Sequence, residues 1–199
     1  MAYQVCLETA RLWLRTLDES FAPQVLEFFR RNREHLEPWE PPRPNSFYEQ
    51  LEHHRRQLAF DLVKMSAGQV FKVWIFEKED TAFQTVIGSV AVTEIVRGCL
   101  LAGFLGYRMD KDFTGRGYMT EAVDRVVQYA FDDLGLHRLE ANIMPRNKAS
   151  LRVVEKLGFY QEGLCEKLLF INGRWEDHIR MVKRNTAMEG QWEPGFKLS

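Results

Sequence analysis

A chain of 199 residues, 45% apolar and 28% charged, has the length and balance of one globular domain and excludes disordered and fibrous classes. Its formal net charge of −1 removes any general electrostatic case for direct nucleic-acid binding. No apolar run is long enough to span a bilayer, so no membrane partner is expected. The start MAYQVCLETARL lacks the basic, apolar and small-residue parts of a secretory signal, which makes the cytoplasm the expected location. Cys6, Cys99 and Cys165 show no metal-ligand spacing and read as buried free thiols, and no metal is expected.

In chain order, Leu12 and Leu14 alternate with Arg11, Trp13 and Arg15, the period-two pattern of a strand. Asp18 caps a helix with a stripe of Phe21, Val25, Phe28 and Phe29, whose first turn tolerates Pro23. HLEPWEPPRPNS, with four prolines, predicts an irregular connection. Ser46 then caps a long amphipathic helix through Phe47, Leu51, His54, Leu58, Leu62 and Met65. QVFKVWIF, TVIGSVAVTEIV and LLAGFLGYRM read as three strands joined by short turns. A helix spans Tyr118 to Leu134, HRLEANIM is a strand, and Asn147 opens a helix closed at Gly158. KLLFI and RWEDHIRMV flank Asn172-Gly173, a strong hairpin signal. The tail after Arg184, with Trp192 in it, is expected on the surface. The order β-α-α-β-β-β-α-β-α-β-β predicts an α/β (α+β) fold, a mixed sheet with helices on both faces.

DFTGRGYMTEA places Gly115 and Gly117 at the mouth of a helix, immediately after a strand. Amides released at a helix start point outward and the helix dipole adds positive charge, so the turn suits an anion such as a phosphate; it also suits a plain tight turn. The stretch lacks the third glycine and downstream acid of a dinucleotide fingerprint and the Gly-Lys-Ser/Thr of a triphosphate loop. Gly106 interrupts an apolar strand, a pattern found at bulges and at close ligand approaches. Asn147 and Ser150 put two short polar side chains at another helix start.

Taken together, NREHLEPWEPPR, IVRG, LGY, GRGYMTEA, MPRNKAS, NKASLRVVEKLGF and GRWEDH resemble the GNAT superfamily of acetyl-CoA-dependent N-acetyltransferases, and within it the RimJ branch of the RimJ/RimL ribosomal-protein N-acetyltransferases. The resemblance implies one GNAT domain over 1–185, a surface tail over 186–199, and a mostly antiparallel sheet in which two strands diverge around pantetheine. It implies that Met109 and Lys111 offer backbone groups to the pantetheine arm and that Thr114, Gly115, Arg116, Gly117, Tyr118, Met119 and Thr120 cradle the diphosphate. Asn147 and Ser150 would flank the thiol end. The acceptor would lie beside Trp39, Glu40 and Trp175, where Glu37, Glu40, Glu176 and Asp177 are expected to attract a cationic terminus. Its partners would be a ribosomal protein N-terminus or a small amine, with a homodimer as an open assembly.

The sequence departs from the family at three points. Asp112 stands where Gln or Arg is usual, so Arg116 is the expected replacement charge; Leu169 and Asn142 stand where relatives carry glutamates. The catalytic base therefore does not transfer, and Glu94 and Glu40 are the candidates, with Ser150 as hydrogen-bond donor to the sulfur and Tyr107 and Tyr160 as runners-up. An α-amine with a pKa of about 7.7–8.0 is roughly a tenth neutral at pH 7, an advantage over lysine of about 3 kcal/mol. A site for N-termini can thus run with a weak base. Three functions stay open: acetylation of an N-terminal alanine of a ribosomal protein, acetylation of a polyamine, amino acid or antibiotic, and a non-catalytic acyl-CoA sensor or ribosome-assembly factor.

Overall fold

A computed structural model describes residues 4–190. One eight-stranded sheet runs β1 (Cys6–Glu8), β2 (Leu12–Arg15), β3 (Phe71–Glu77), β4 (Gly88–Val96), β5 (Ala102–Met109), β6 (Arg138–Ile143), β8 (Arg174–Arg184) and β7 (Tyr160–Ile171) in spatial order. All neighbours are antiparallel except β5 and β6, the one parallel pair. Helices α1 (Ala22–Arg31), α2 (Arg33–Leu36), α3 (Asn45–Glu49) and α4 (Leu51–Ser66) precede β3; α5 (Tyr118–Asp132) links β5 to β6, and α6 (Lys148–Lys156) follows β6.

The side-chain alternation of the strands divides the core in two. Leu12, Leu14, Val73, Ile75, Val90, Val92, Leu105 and Met109 join the apolar stripe of α5, Met119 to Ala130, in one cluster. Trp74 and Phe76 point the other way and pack with Phe28, Phe29, Phe47 and Leu58 of α1, α3 and α4. Complete burial of a Leu or Phe side chain is worth about 1.5–3 kcal/mol, so each helical layer is held by several such contacts.

The predicted elements are present, with differences that have local causes. β1 was not anticipated, since three residues carry too little periodicity to read. The proline-rich stretch is not wholly irregular: α2 and a 3-10 turn at Glu37–Trp39 occupy it, with Pro38 at a helix-start position where its missing N–H costs nothing. Ser46 is not a cap but lies inside α3, and Gln50 in extended backbone (φ −99°, ψ 112°) breaks the long helix into α3 and α4. The cysteines are free, as expected, but not buried: Cys6 and Cys99 are exposed and Cys165 is half-buried. They fall on an end strand, a turn and the opposite end strand. Trp192 lies outside the described residues. No helix among the described residues is long and apolar enough to cross a membrane.

The end of β5 is fixed by a buried carboxylate. Asp110, completely buried, accepts from Arg31 Nε (2.5 Å), Asn32 Nδ2 (3.0 Å) and the Asp112 N–H (3.0 Å), while Lys111 N–H donates to Asn32 Oδ1 (2.9 Å). Burial raises the pKa of a carboxyl group, yet the hydrogen bonds from Asn32, Asp112 and Arg31 outweigh it and hold Asp110 below its ordinary value. Asp110→Ala is expected to cost about 3 kcal/mol, because it strands the Arg31 guanidinium and the Asn32 amide. Since the folded-state pKa is depressed, Asp110's contribution is present above the unfolded value of about 3.9 and is lost as pH falls through the lower folded value. Denaturant titrations of both proteins at pH 7 and pH 3 should therefore show a gap at pH 7 that narrows in acid.

Candidate functional site

Parallel pairing of β5 with β6 covers only Ala102–Phe104 against Arg138–Glu140. Beyond Phe104, β5 stays with β4 out to Met109, and β6 stays with β8 out to Ile143. The two strands diverge, leaving about 17 Å of β5 edge with no ladder partner on that side among the described residues. Asp110 N–H donates to Ile87 C=O across β4, so ladder alternation turns the Met109 N–H and C=O into this gap.

Both helices that follow the diverging strands begin at the open end of the gap. Before α5, Gly115 (φ 75°) and Gly117 (φ 80°) take left-handed backbone that disfavours other residues, and Gly117 is the N-cap. The first intrahelical bond is Glu121 N–H to Gly117 C=O (3.1 Å), which leaves the amides of Tyr118, Met119 and Thr120 directed outward with the helix dipole behind them. The Met119 side chain is buried in the core, so only its main chain serves the turn. Nothing stands within 4 Å of a Cβ built on Gly115, and on Gly117 only Arg11 Nη2, at 3.5 Å, does.

Arg11 was not anticipated, and it braces the turn. Its Nη1 donates to Arg116 C=O (3.0 Å), its Nε to Glu121 Oε2 (2.7 Å), and its guanidinium covers the Tyr118 ring at 4.5 Å. Glu121 also accepts from Thr9 Oγ1 (2.6 Å) and the Arg11 N–H (2.9 Å). Burial pushes Glu121 upward, but these bonds prevail and keep its pKa below the usual carboxylate value. Asp112 turns to solvent and pairs with Lys111 Nζ at 3.1 Å, while Arg116 lies over Phe113 and donates to Asp112 C=O (2.7 Å). Lys111 differs from the expectation of free backbone groups: its N–H goes to Asn32 and its C=O accepts from Thr114 Oγ1.

At the start of α6, Asn147 Oδ1 caps the helix by accepting from Ser150 N–H (3.1 Å). Tyr107, on β5, reaches across to Ser150: its hydroxyl lies 2.9 Å from Ser150 C=O, to which it donates, and 2.8 Å from Ser150 Oγ. Burial, only partly offset by the bond to Ser150, pushes the Tyr107 phenol up to about 12. With the phenol donating to the Ser150 carbonyl, the 2.8 Å contact is filled by the Ser150 hydroxyl donating to Tyr107 Oη. Tyr160 is exposed beneath Arg184 and takes no part in this pair.

Neither candidate base stands free in the gap. Glu94 is exposed in the β4 bulge (φ 48°), beside Thr93, which pairs with Phe104 at the closed end of the divergence. That is about 17 Å along β5 from Met109, a position correctly assigned to its strand but not to the cleft. Glu40 is near the site, but its oxygens are taken by Arg108 Nε (3.1 Å) and Arg43 (3.0 Å). Trp39 packs under Arg146 at 5.5 Å, and Arg146 ties the proline-rich segment to the last hairpin through Pro38 C=O (3.2 Å) and Glu176 (2.6 Å). Strand alternation sends Trp175 to the other side, where it is 60% exposed and packs edge-to-face with Phe170. Glu176 is neutralised by Arg146 and Arg174, and Asp177 accepts from the Lys167 N–H, so only Glu37 of the four expected acids is without a named partner. No His/Cys/Asp/Glu cluster that could hold a metal occurs among the described residues.

Residues 11–160 match the family model described as an acetyltransferase (GNAT) domain. The chain belongs to the GNAT acetyltransferases. It is 38% identical over 172 residues to a probable N-acetyltransferase, YjcK, of Bacillus subtilis, covering 86% of this chain and 93% of the relative. It is 32% identical over 193 residues to the ribosomal protein uS5-alanine N-acetyltransferase of Escherichia coli, covering 96% and 95%. The crystal structure of ribosomal-protein-S5-alanine acetyltransferase from Vibrio fischeri superposes with a TM-score of 0.86 at 34% identity, over 96% of this chain and all of that one. Mycobacterium smegmatis RimJ in complex with CoA-disulfide shares the fold, with a TM-score of 0.83 at 22% identity. In this GNAT chain, ultraviolet titration of Tyr107→Phe is expected to lose one ionisation near pH 12 that the wild-type chain shows.

Proposed function

We propose that the chain transfers the acetyl group of acetyl-CoA to the α-amine of an N-terminal alanine, on a ribosomal protein or a peptide terminus like it, in the cytoplasm. The observation that carries this is the unpartnered edge of β5 between Phe104 and Met109, opening beside two helix starts, of which one bears the glycine turn. The residues fit coenzyme A: the amides from Thr114 to Thr120 suit its diphosphate, and the free edge of β5 suits the amide-bearing pantetheine arm. When bound, acetyl-CoA supplies an activated thioester. We infer that residues 1–185 make up one domain.

The chain's own groups then have distinct tasks. The Met109 N–H faces the gap and is the donor for the carbonyl oxygen as negative charge develops on it. The Ser150 hydroxyl, held at the gap by its bond to Tyr107 Oη, turns from it to donate to the departing sulfur. Tyr107 remains protonated across the working pH range, since its pKa is about 12, and it keeps Ser150 in place. With Glu94 distant and Glu40 held by two guanidinium groups, no carboxylate takes the amine proton, which passes to water. That scheme favours α-amines over lysine, because an α-amine is already about a tenth neutral at pH 7.

Calorimetry with coenzyme A and thiol-release assays with peptides and amines test the reading. Gly117→Asp should abolish coenzyme A binding, through a negative side chain at the diphosphate and strain at φ 80°. Ser150→Ala should lower kcat by about tenfold to a hundredfold with little change in coenzyme A affinity. Alanine-starting peptides should turn over, and polyamines and lysine side chains should not. Normal coenzyme A binding by Gly117→Asp, or turnover confined to small amines, would overturn the reading.

A further inference from the structure

On the sheet face opposite α5, a cavity of about 180 Å³ lies between α1, α3, α4 and the strands β3 and β5. Its walls mix aromatic rings, Phe29 and Phe47, with three cations, Arg43, Lys72 and Arg108. Two carboxylates answer them: Asp61 holds Lys72 Nζ at 2.7 Å, and Glu40 is shared between Arg43 and Arg108 at 3.0 and 3.1 Å. His54 adds no charge, since burial pulls its pKa below the usual value and its Nε2 faces the Phe47 carbonyl at 2.8 Å. The cavity thus carries one positive charge in excess.

Its donors are also in excess. A guanidinium has five N–H groups, and among the described residues Arg108 commits only Nε, to Glu40, while its terminal nitrogens make no hydrogen bond. Arg108 lies at 5.4 Å over the Phe29 ring and Arg43 at 4.2 Å over Phe47, which fixes both planes. Partly buried cations with unspent donors, set among apolar rings, match a carboxylate on a short aliphatic stem.

The floor of the sheet leads from this cavity to the gap. Lys72, Ala91 and Gly106 stand in one row across β3, β4 and β5, and Trp74, Ser89 and Arg108 in the next. The residues between the cavity and the gap are small, and no atom lies within 4 Å of a Cβ built on Gly106. Lys72 is about 10 Å from Gly106 by strand spacing, with the gap one spacing beyond, a span that an extended peptide crosses in roughly three to five residues.

We propose that this cavity is an acceptor subsite for the side chain of a glutamate or aspartate at about the third to fifth residue of the peptide whose amine enters the gap. The proposal rests on the acyl-transfer reading above, and it makes the preferred acceptor acidic close to its terminus. A free amino acid cannot use the subsite, because its carboxylate adjoins its amine.

The test compares alanine-starting peptides carrying Glu or Gln at residue three, four or five, and also their N-acetylated forms, which bind without reacting. For the wild-type chain with coenzyme A, calorimetry should give about tenfold tighter binding of the Glu form at one of these positions, as expected for a charge-assisted hydrogen bond. The same ratio should appear in kcat/KM. Lys72→Met should erase the preference while leaving the Gln peptide unchanged, and Lys72→Arg should restore it. If Lys72→Met does not fold, as judged by circular dichroism, Arg43→Gln takes its place with the same expectation. Equal binding of Glu and Gln forms at all three positions, or a preference that survives in a folded Lys72→Met, overturns the proposal. Discrimination by the acetylated peptides without turnover of any free one would instead overturn the acyl-transfer reading and leave the anion-binding subsite standing.

Discussion

A single unmet pairing organises this molecule: β5 leaves β6 after three residue pairs, while both remain zipped to their outer neighbours. Exposed main-chain donors and acceptors are costly when they stay dry, so the divergence must be enforced. Asp110 does this for β5 by gathering Arg31, Asn32 and the next turn around one buried carboxylate. Antiparallel pairing of β6 with β8 does it for the other strand. Divergent strands then present their edges, and the helix starts that follow them, to the same space.

The two faces of β5 divide the work. Odd-numbered residues, Leu105, Tyr107 and Met109, look toward α5 and α6, where Tyr107 meets Ser150. Even-numbered residues, Gly106 and Arg108, look toward α1, α3 and α4, where Arg108 meets Glu40 and Phe29. In the proposed reaction, one strand would thereby carry leaving-group chemistry on one side and acceptor recognition on the other. Alternation of side chains along a strand is sufficient to separate them.

Much of this was legible in the sequence because it is local. The period-two strands, the Gly115 and Gly117 turn, the Asn147 cap and the Asn172-Gly173 hairpin each declare themselves within a few residues, and the structure realises them with positive φ at Gly115, Gly117, Asn172 and Gly173. What was not legible depends on partners distant in sequence. Arg11 meets Glu121, Arg31 meets Asp110, and Arg146 meets both Pro38 and Glu176; nothing near any of these residues signals its partner. Glu94 shows the same limit. Its strand was correctly read, but the end of that strand that faces the gap is set by register with β5, and one turn of the β4 bulge puts it at the closed end.

The brace between Arg11 and Glu121 has a bearing on how the chain reaches its final form. Its partners are 110 residues apart, so the glycine turn is locked only when the amino-terminal hairpin has docked against α5. Contacts of such long range are slow to close, since loop-closure entropy is lost before any contact compensates it. Acquisition of the ordered glycine turn is therefore a late, global event in folding rather than a property of the β5–α5 segment alone.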